Sequence, residues 1–259
     1  MQFSYPVYPT TLHANAAEVV TEFFLRSDIT DTVLITNSCA REQTSEESDL
    51  DMAILVKEET TKASIKNLQK RWLKYSNSNK TILAYKNSCI YRHLHVDIIN
   101  GEYKPLQIEN GEPIDYFEVE IGNHICYSLP VNQDGKFFKS LQQKWLPYYD
   151  EQLRQQRLKA ITYACMYDLN HIPFLIKREL HFHALYILNK AVKEYLQALF
   201  TANKIYPIAY NKWIKYQLTH LLEKPEVYQS LISIFSITNI DSDEINYKAK
   251  LLSELLNNL

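Results

Sequence analysis

Apolar residues recur at two different spacings in the two halves of the chain. Residues 14–26 place Ala17, Val20 and Phe24 on one face at helical spacing. The β-branched run 31–36 suits a buried strand. After a polar stretch from Asn37 to Ser48, Asp49 and Asp51 alternate with apolar residues before the run to Val56 turns wholly apolar, which predicts a second strand. Residues 61–75 read as an amphipathic helix. Residues 81–85 and 91–99 are the next predicted strands, the second alternating with period two and ending at the turn signal Asn100-Gly101.

From Trp145 onward the spacing becomes helical throughout. Residues 151–169, 173–203, 209–222, 226–235 and 243–256 carry apolar side chains three and four apart, with breaks expected at Pro147, Pro173, Pro207 and Pro225. Residues 102–136 hold most of the glycines and read as the inter-domain connection with edge loops. The expected fold class is therefore α+β: a small mixed sheet with flanking helices over 1–135, then an all-α bundle over 136–259. The chain shows no internal repeat and no low-complexity tract.

Composition narrows the chemistry. No apolar run approaches the ~18 residues of a membrane-spanning helix, so no membrane partner is expected. The start, Met1-Gln2-Phe3-Ser4-Tyr5-Pro6, lacks a basic and then apolar leader, and a cytoplasmic location is expected. Cys39, Cys89, Cys126 and Cys165 lie far apart with no C-x-x-C pair, as reduced structural thiols do. The net charge of −2 argues against an extended nucleic-acid footprint. Gly101, Gly111, Gly122 and Gly135 are the only glycines and are too scattered to build a phosphate-cradling loop.

The strongest chemical feature is Asp49-Leu50-Asp51. On a strand, residues i and i+2 share a face, so both carboxylates point one way at a spacing that suits a divalent cation. Ser38 follows the predicted strand 31–36 and offers a hydroxyl to a phosphate. Asp97 lies between Val96 and Ile98 on a later strand and supplies a third acid. His93 and His95 share its face, His93 reading as a flanking residue.

Together, Thr36-Asn37-Ser38, then Ser48-Asp49-Leu50-Asp51, then Leu94-His95-Val96-Asp97 resemble the signature of the polymerase-β-type nucleotidyltransferases, over roughly residues 30–100. The flanks Arg41 and Ser48 resemble a frequent form of that motif. Asn37 stands where the family has glycine. The resemblance implies a nucleotidyltransferase fold and Mg²⁺, one ion or two, held by Asp49, Asp51 and Asp97. It also implies ATP or another NTP bound with the help of Asn37, Ser38, Arg41 and Ser48, with Asp97 as ligand or general base.

A second stretch, Leu188-Asn189-Lys190 with residues 196–200, then Asn203-Lys204-Ile205-Tyr206-Pro207 and Asn211-Lys212-Trp213-Ile214, is similar to the helical domain of the antibiotic nucleotidyltransferases. It implies a nucleotide contact at Lys212, a small-molecule hydroxyl acceptor of aminoglycoside type and a homodimer. Tyr206 and Trp213 also read simply as core aromatics. Residues Lys177-Arg178-Glu179 are read as beginning the long helix, with Glu179 as reserve base. His181 and His183, two apart, cannot share a zinc on one helix face. Transfer to a protein, and a nucleotide-binding module with weakened turnover, are the alternatives.

Overall fold

The computed structural model describes residues 7–106, 115–131 and 135–259. The first six residues and parts of the expected connection, 107–114 and 132–134, lie outside them. The chain divides into two compact units: Met1–Tyr103 with Glu120–Leu146, and Lys104–Val119 with Pro147–Leu259.

The first unit is built on a mixed four-stranded sheet. In chain order its elements are α1 (Thr11–Leu25), β1 (Thr30–Ile35), α2 (Asn37–Ala40), β2 (Leu50–Val56), α3 (Lys62–Ser76), α4 (Lys80–Asn87) and β3 (Leu94–Ile99). The helix α5 (Phe117–Ile121), within which the two units meet in sequence, runs into a π-helical turn, Gly122–Cys126, then β4 (Leu129–Pro130) and α6 (Lys136–Trp145). The strand order is β3-β2-β1-β4. β1 is antiparallel to both β2 and β4, whereas β2 and β3 are parallel.

One sheet face buries Val33, Ile35, Leu50, Met52 and Ile54 against Val20 and Phe24 of α1, Trp72 of α3 and Ile82 of α4. Side chains of alternate parity face the other way, and that period frees Asp49 and Asp51 for chemistry. Asp31 fixes α6 from a distance, since its carboxylate accepts the N–H groups of Phe137 and Phe138 at 3.1 and 3.0 Å. This satisfies two donors at a helix start that has no side-chain cap of its own.

Residues 81–85 are not a strand. They lie in α4, because Asn79 Oδ1 accepts the N–H of Ile82 at 3.1 Å and caps a helix whose Ile82 and Tyr85, three apart, are both buried.

The second unit is helical: α7 (Glu151–Lys177), α8 (His181–Asn203), the short α9 (Ile214–Tyr216), a π-helical turn Gln217–Leu221, α10 (Pro225–Phe235) and α11 (Glu244–Asn257). Its core joins Ile161, Leu169 and Ile172 of α7 to Leu188, Tyr195 and Leu199 of α8 and Leu252 of α11. The expected break at Pro173 does not occur. Ile172 and Leu175 are both buried, and their packing carries the helix through the proline. The chain turns instead at Arg178–Leu180, with Glu179 at a left-handed φ of 59°, so Lys177-Arg178-Glu179 closes α7 and does not open the long helix.

The expected helix 209–222 is irregular over 209–213 and becomes helical only from Ile214 to Leu221. Buried Gln217 holds the loop before it, accepting from the Ile208 N–H at 2.6 Å and donating to the carbonyls of Ala209 and Lys212 at 2.8 and 2.9 Å. Tyr206 is a core aromatic, but Trp213 is exposed and left-handed, with φ 58°.

A buried ionic group also organises this unit. Arg157 meets Asp115 in a two-pronged pair at 2.9 and 3.1 Å and reaches Glu118 Oε2 at 2.8 Å. Tyr149 donates to Glu118 and the N–H of Phe117 to Asp115, so the acids are fully engaged.

Candidate active site

The parallel pairing of β2 and β3 sets Asp51 opposite His95 and Ala53 opposite Asp97. Paired residues on neighbouring strands share a face, so Asp49, Asp51, His93, His95 and Asp97 all project from one side of the sheet. The start of the pair is locked twice. The His93 N–H donates to Asp49 Oδ1 at 2.6 Å, and the Leu50 N–H to the His93 carbonyl at 3.0 Å. His95 Nε2 lies 3.8 Å from Asp49 Oδ2.

Burial raises the Asp51 carboxyl above its usual range. The Asn37 side chain, hydrogen-bonded to it, and His95 pull it down, while Asp49 and Asp97 push it up further. Asp51 therefore senses both of the other carboxylates, a repulsion that a cation would relieve.

Asn37 opens α2 at φ 54°, the left-handed region that asparagine tolerates better than most side chains. Ser38 is half-buried beside it, and its carbonyl accepts the N–H groups of Arg41 and Gln43 at 3.2 and 3.0 Å. Arg41 is steered by two amide oxygens, Gln43 Oε1 at 3.3 Å and Asn123 Oδ1 at 3.1 Å, the latter on the π-helical turn. Ser48 has another use for its hydroxyl, which accepts the Ser45 N–H at 2.9 Å and braces the loop.

A supporting group braces the Ser48 end of this face. His13 Nε2 donates to the Ser48 carbonyl at 2.9 Å while Nδ1 accepts from Thr10 at 2.7 Å, and burial lowers its pKa so that the neutral ring makes both bonds. Tyr85 donates to the same carbonyl, and Arg92 bonds the Glu46 carbonyl and Ser88. An apolar-face histidine gives no sequence signal of this kind. His124, on the π-helical turn, is also held neutral by burial, against the opposing charge of Asp97. Its Nδ1 is buried without a hydrogen-bond partner among the described residues.

Glu179 and Lys212 belong to the second unit. Glu179 is exposed at the α7–α8 turn, and Lys212 is exposed on the loop whose carbonyl Gln217 holds. His181 Nε2 lies 3.2 Å from Asp241 Oδ1, whereas His183 stacks beside Tyr186, so the two histidines are engaged separately.

Among the described residues no three His, Cys, Asp or Glu side chains are drawn together tightly enough to cage an ion as they stand. The donor set nonetheless suits a hard divalent cation: carboxylate oxygens on one face, with Asp51 raised chiefly by burial and further by its acidic neighbours. No protein-family model matches the sequence, and no curated protein matches it significantly. Among the described residues no helix is long and apolar enough to cross a membrane.

Proposed function

We propose that this chain is a metal-dependent nucleotidyltransferase of the polymerase-β type. In this reading it transfers a nucleoside monophosphate, AMP from ATP, to a hydroxyl of a small-molecule acceptor. The observation that carries the reading is the parallel β2–β3 register, which sets Asp49, Asp51 and Asp97 on one face with Asn37 bonded to Asp51. Asp49, Asp51 and Asp97 would hold Mg²⁺, which when bound supplies charge neutralisation at the phosphates.

The chain's own residues do the rest. Ser38 and the braced guanidinium of Arg41 bind the outer phosphates. Asp97, exposed on the edge strand, serves the acceptor side and takes the hydroxyl proton as the oxygen attacks the α-phosphorus and pyrophosphate leaves. An acidic face also suits a cationic acceptor such as an aminosugar. Glu179 as reserve base, Lys212 as nucleotide contact and a homodimer rest on the family resemblance alone.

A second reading, a nucleotide-binding module with weak turnover, has one observation in its favour. The Asn37 amide already occupies Asp51, at the position where the resemblant family has glycine.

Calorimetry with ATP and Mg²⁺ tests both readings. The wild type is expected to bind and Asp49→Asn/Asp51→Asn to lose binding. Pyrophosphate release with an aminoglycoside, lincosamide or protein acceptor supports the enzyme, and binding with silence toward every acceptor supports the module. A wild type that binds no nucleotide overturns both.

A further inference from the structure

The outer face of α7 carries an aromatic ladder that nothing in the nucleotidyltransferase reading uses. Tyr163, Tyr167, His171 and Phe174 follow one another at helical spacings of four, four and three, and so line one side of the helix. Their rings face outward, with Tyr163 63%, Tyr167 37% and Phe174 54% exposed. Tyr167 and His171 lie in ring contact at 4.5 Å, and the Arg178 guanidinium sits over the Phe174 ring at 5.1 Å. With Met166 and Asn170 these rings line an open recess of about 400 Å³.

The charge along this face is mainly positive. From Gln152 to Arg178 the exposed charged side chains of the helix and its cap are Lys159, Lys177 and Arg178, the acid Asp168 is buried, and the exposed acids Glu151 and Glu179 stand just beyond the two ends of that stretch. At 1.5 Å per residue the three cations span about 28 Å. On the flanking helix α11, where Ser253 touches Met166 at 3.6 Å, exposed Lys250 and Glu254 offset each other. The overall charge of −2 hides this local stripe.

Cations tracking a backbone beside flat rings are what a single nucleic-acid strand needs, because every base has a face to stack and every linkage a charge to neutralise. We propose that the outer face of α7 binds a short single strand of nucleic acid, with bases stacked on Tyr163, Tyr167 and Phe174 and phosphates on Lys159, Lys177 and Arg178. The Asn170 amide lies in the recess to meet a base edge. Three phosphate contacts make the site modest, with a salt dependence of log K on log salt near −2.

Fluorescence anisotropy of the full chain with labelled oligouridylate, oligothymidylate and a duplex control tests the proposal, the ribose and deoxyribose arms identifying the preferred strand. Binding tighter than about 100 µM to at least one single strand is expected. Tyr167→Ala/Phe174→Ala is expected to weaken it tenfold or more at unchanged melting temperature. Lys159→Gln/Lys177→Gln/Arg178→Gln is expected to flatten the salt dependence, and excess ATP not to displace the strand, which separates this face from the nucleotide site. Absence of binding, displacement by ATP, or affinity unmoved by the ring substitutions overturns the proposal. So does self-association in sedimentation that the same ring substitutions abolish, which would make the face a contact between copies.

Discussion

The backbone N–H of His93 donates to the carboxylate of Asp49 at 2.6 Å, across 44 residues of sequence. A residue proposed to hold metal thus also ties together the residues that immediately precede two parallel strands. Asp49→Ala removes the acceptor and is expected to cost about 1 kcal/mol. Asp49→Asn keeps an oxygen in place and is expected to stay within about 0.5 kcal/mol of wild type. Urea denaturation separates the two, and under the proposed function both lose nucleotide binding equally.

Asn37 sits at φ 54°. Glycine adopts that geometry freely, whereas a β-branched side chain pays about 1–2 kcal/mol for it. Both variants lose the hydrogen bond to Asp51, so Asn37→Val is expected to be less stable than Asn37→Gly by that amount in chemical denaturation. Equal midpoints for the two variants would contradict the left-handed assignment.

Gly135 precedes α6 where no side chain fits, since a Cβ there would lie 1.7 Å from Thr32 Oγ1 and 2.7 Å from Asp31 Oδ2. Gly135→Ala must displace the carboxylate that caps α6. The expected loss is about 2–3 kcal/mol in thermal or urea unfolding, from overpacking together with the lost cap.

Arg157 neutralises Asp115 and Glu118, with all three side chains almost wholly buried. Arg157→Ala leaves two carboxylates without a cation in the interior. The expected cost is about 3–5 kcal/mol. Because the group lies within the second unit, that unit's unfolding transition is the one expected to shift.

Glu194 lies buried beside Asp168 and Lys190, with Lys190 Nζ 2.8 Å from Asp168 and 3.4 Å from Glu194. Burial, and then the charge of Asp168, push its carboxyl up to about 7. The folded protein therefore holds this proton more tightly than the unfolded chain does. Stability is expected to fall as pH rises from the ordinary glutamate range to neutrality, by on the order of 2–3 kcal/mol, and then to level off. Glu194→Gln is expected to abolish that fall, and parallel pH–stability curves for the two proteins would refute it.

Elements whose evidence is local were legible in the sequence. The alternation in 49–56 and 91–99 predicts strands that the structure contains as β2 and β3, and the helical spacing after Trp145 anticipates the helical second unit. Local signals also conflict with one another. Asn79 is a capping residue and Ile82 and Tyr85 stand three apart, yet the β-prone composition of 81–85 suggested a strand. Pro173 lacks an N–H, but the burial of its neighbours, which no window around it reports, outweighs that loss.

The sequence by itself determined which side chains share a face of each strand, because a side-chain period of two is a property of the backbone alone. Only the tertiary structure decided that β2 and β3 are parallel neighbours with Asp51 opposite His95, that Asn123 steers Arg41, and that His13 braces Ser48. These relationships join residues 35 to 82 positions apart. Their pairing is set by the register in which apolar faces bury, a choice made by the whole sheet and its helices together.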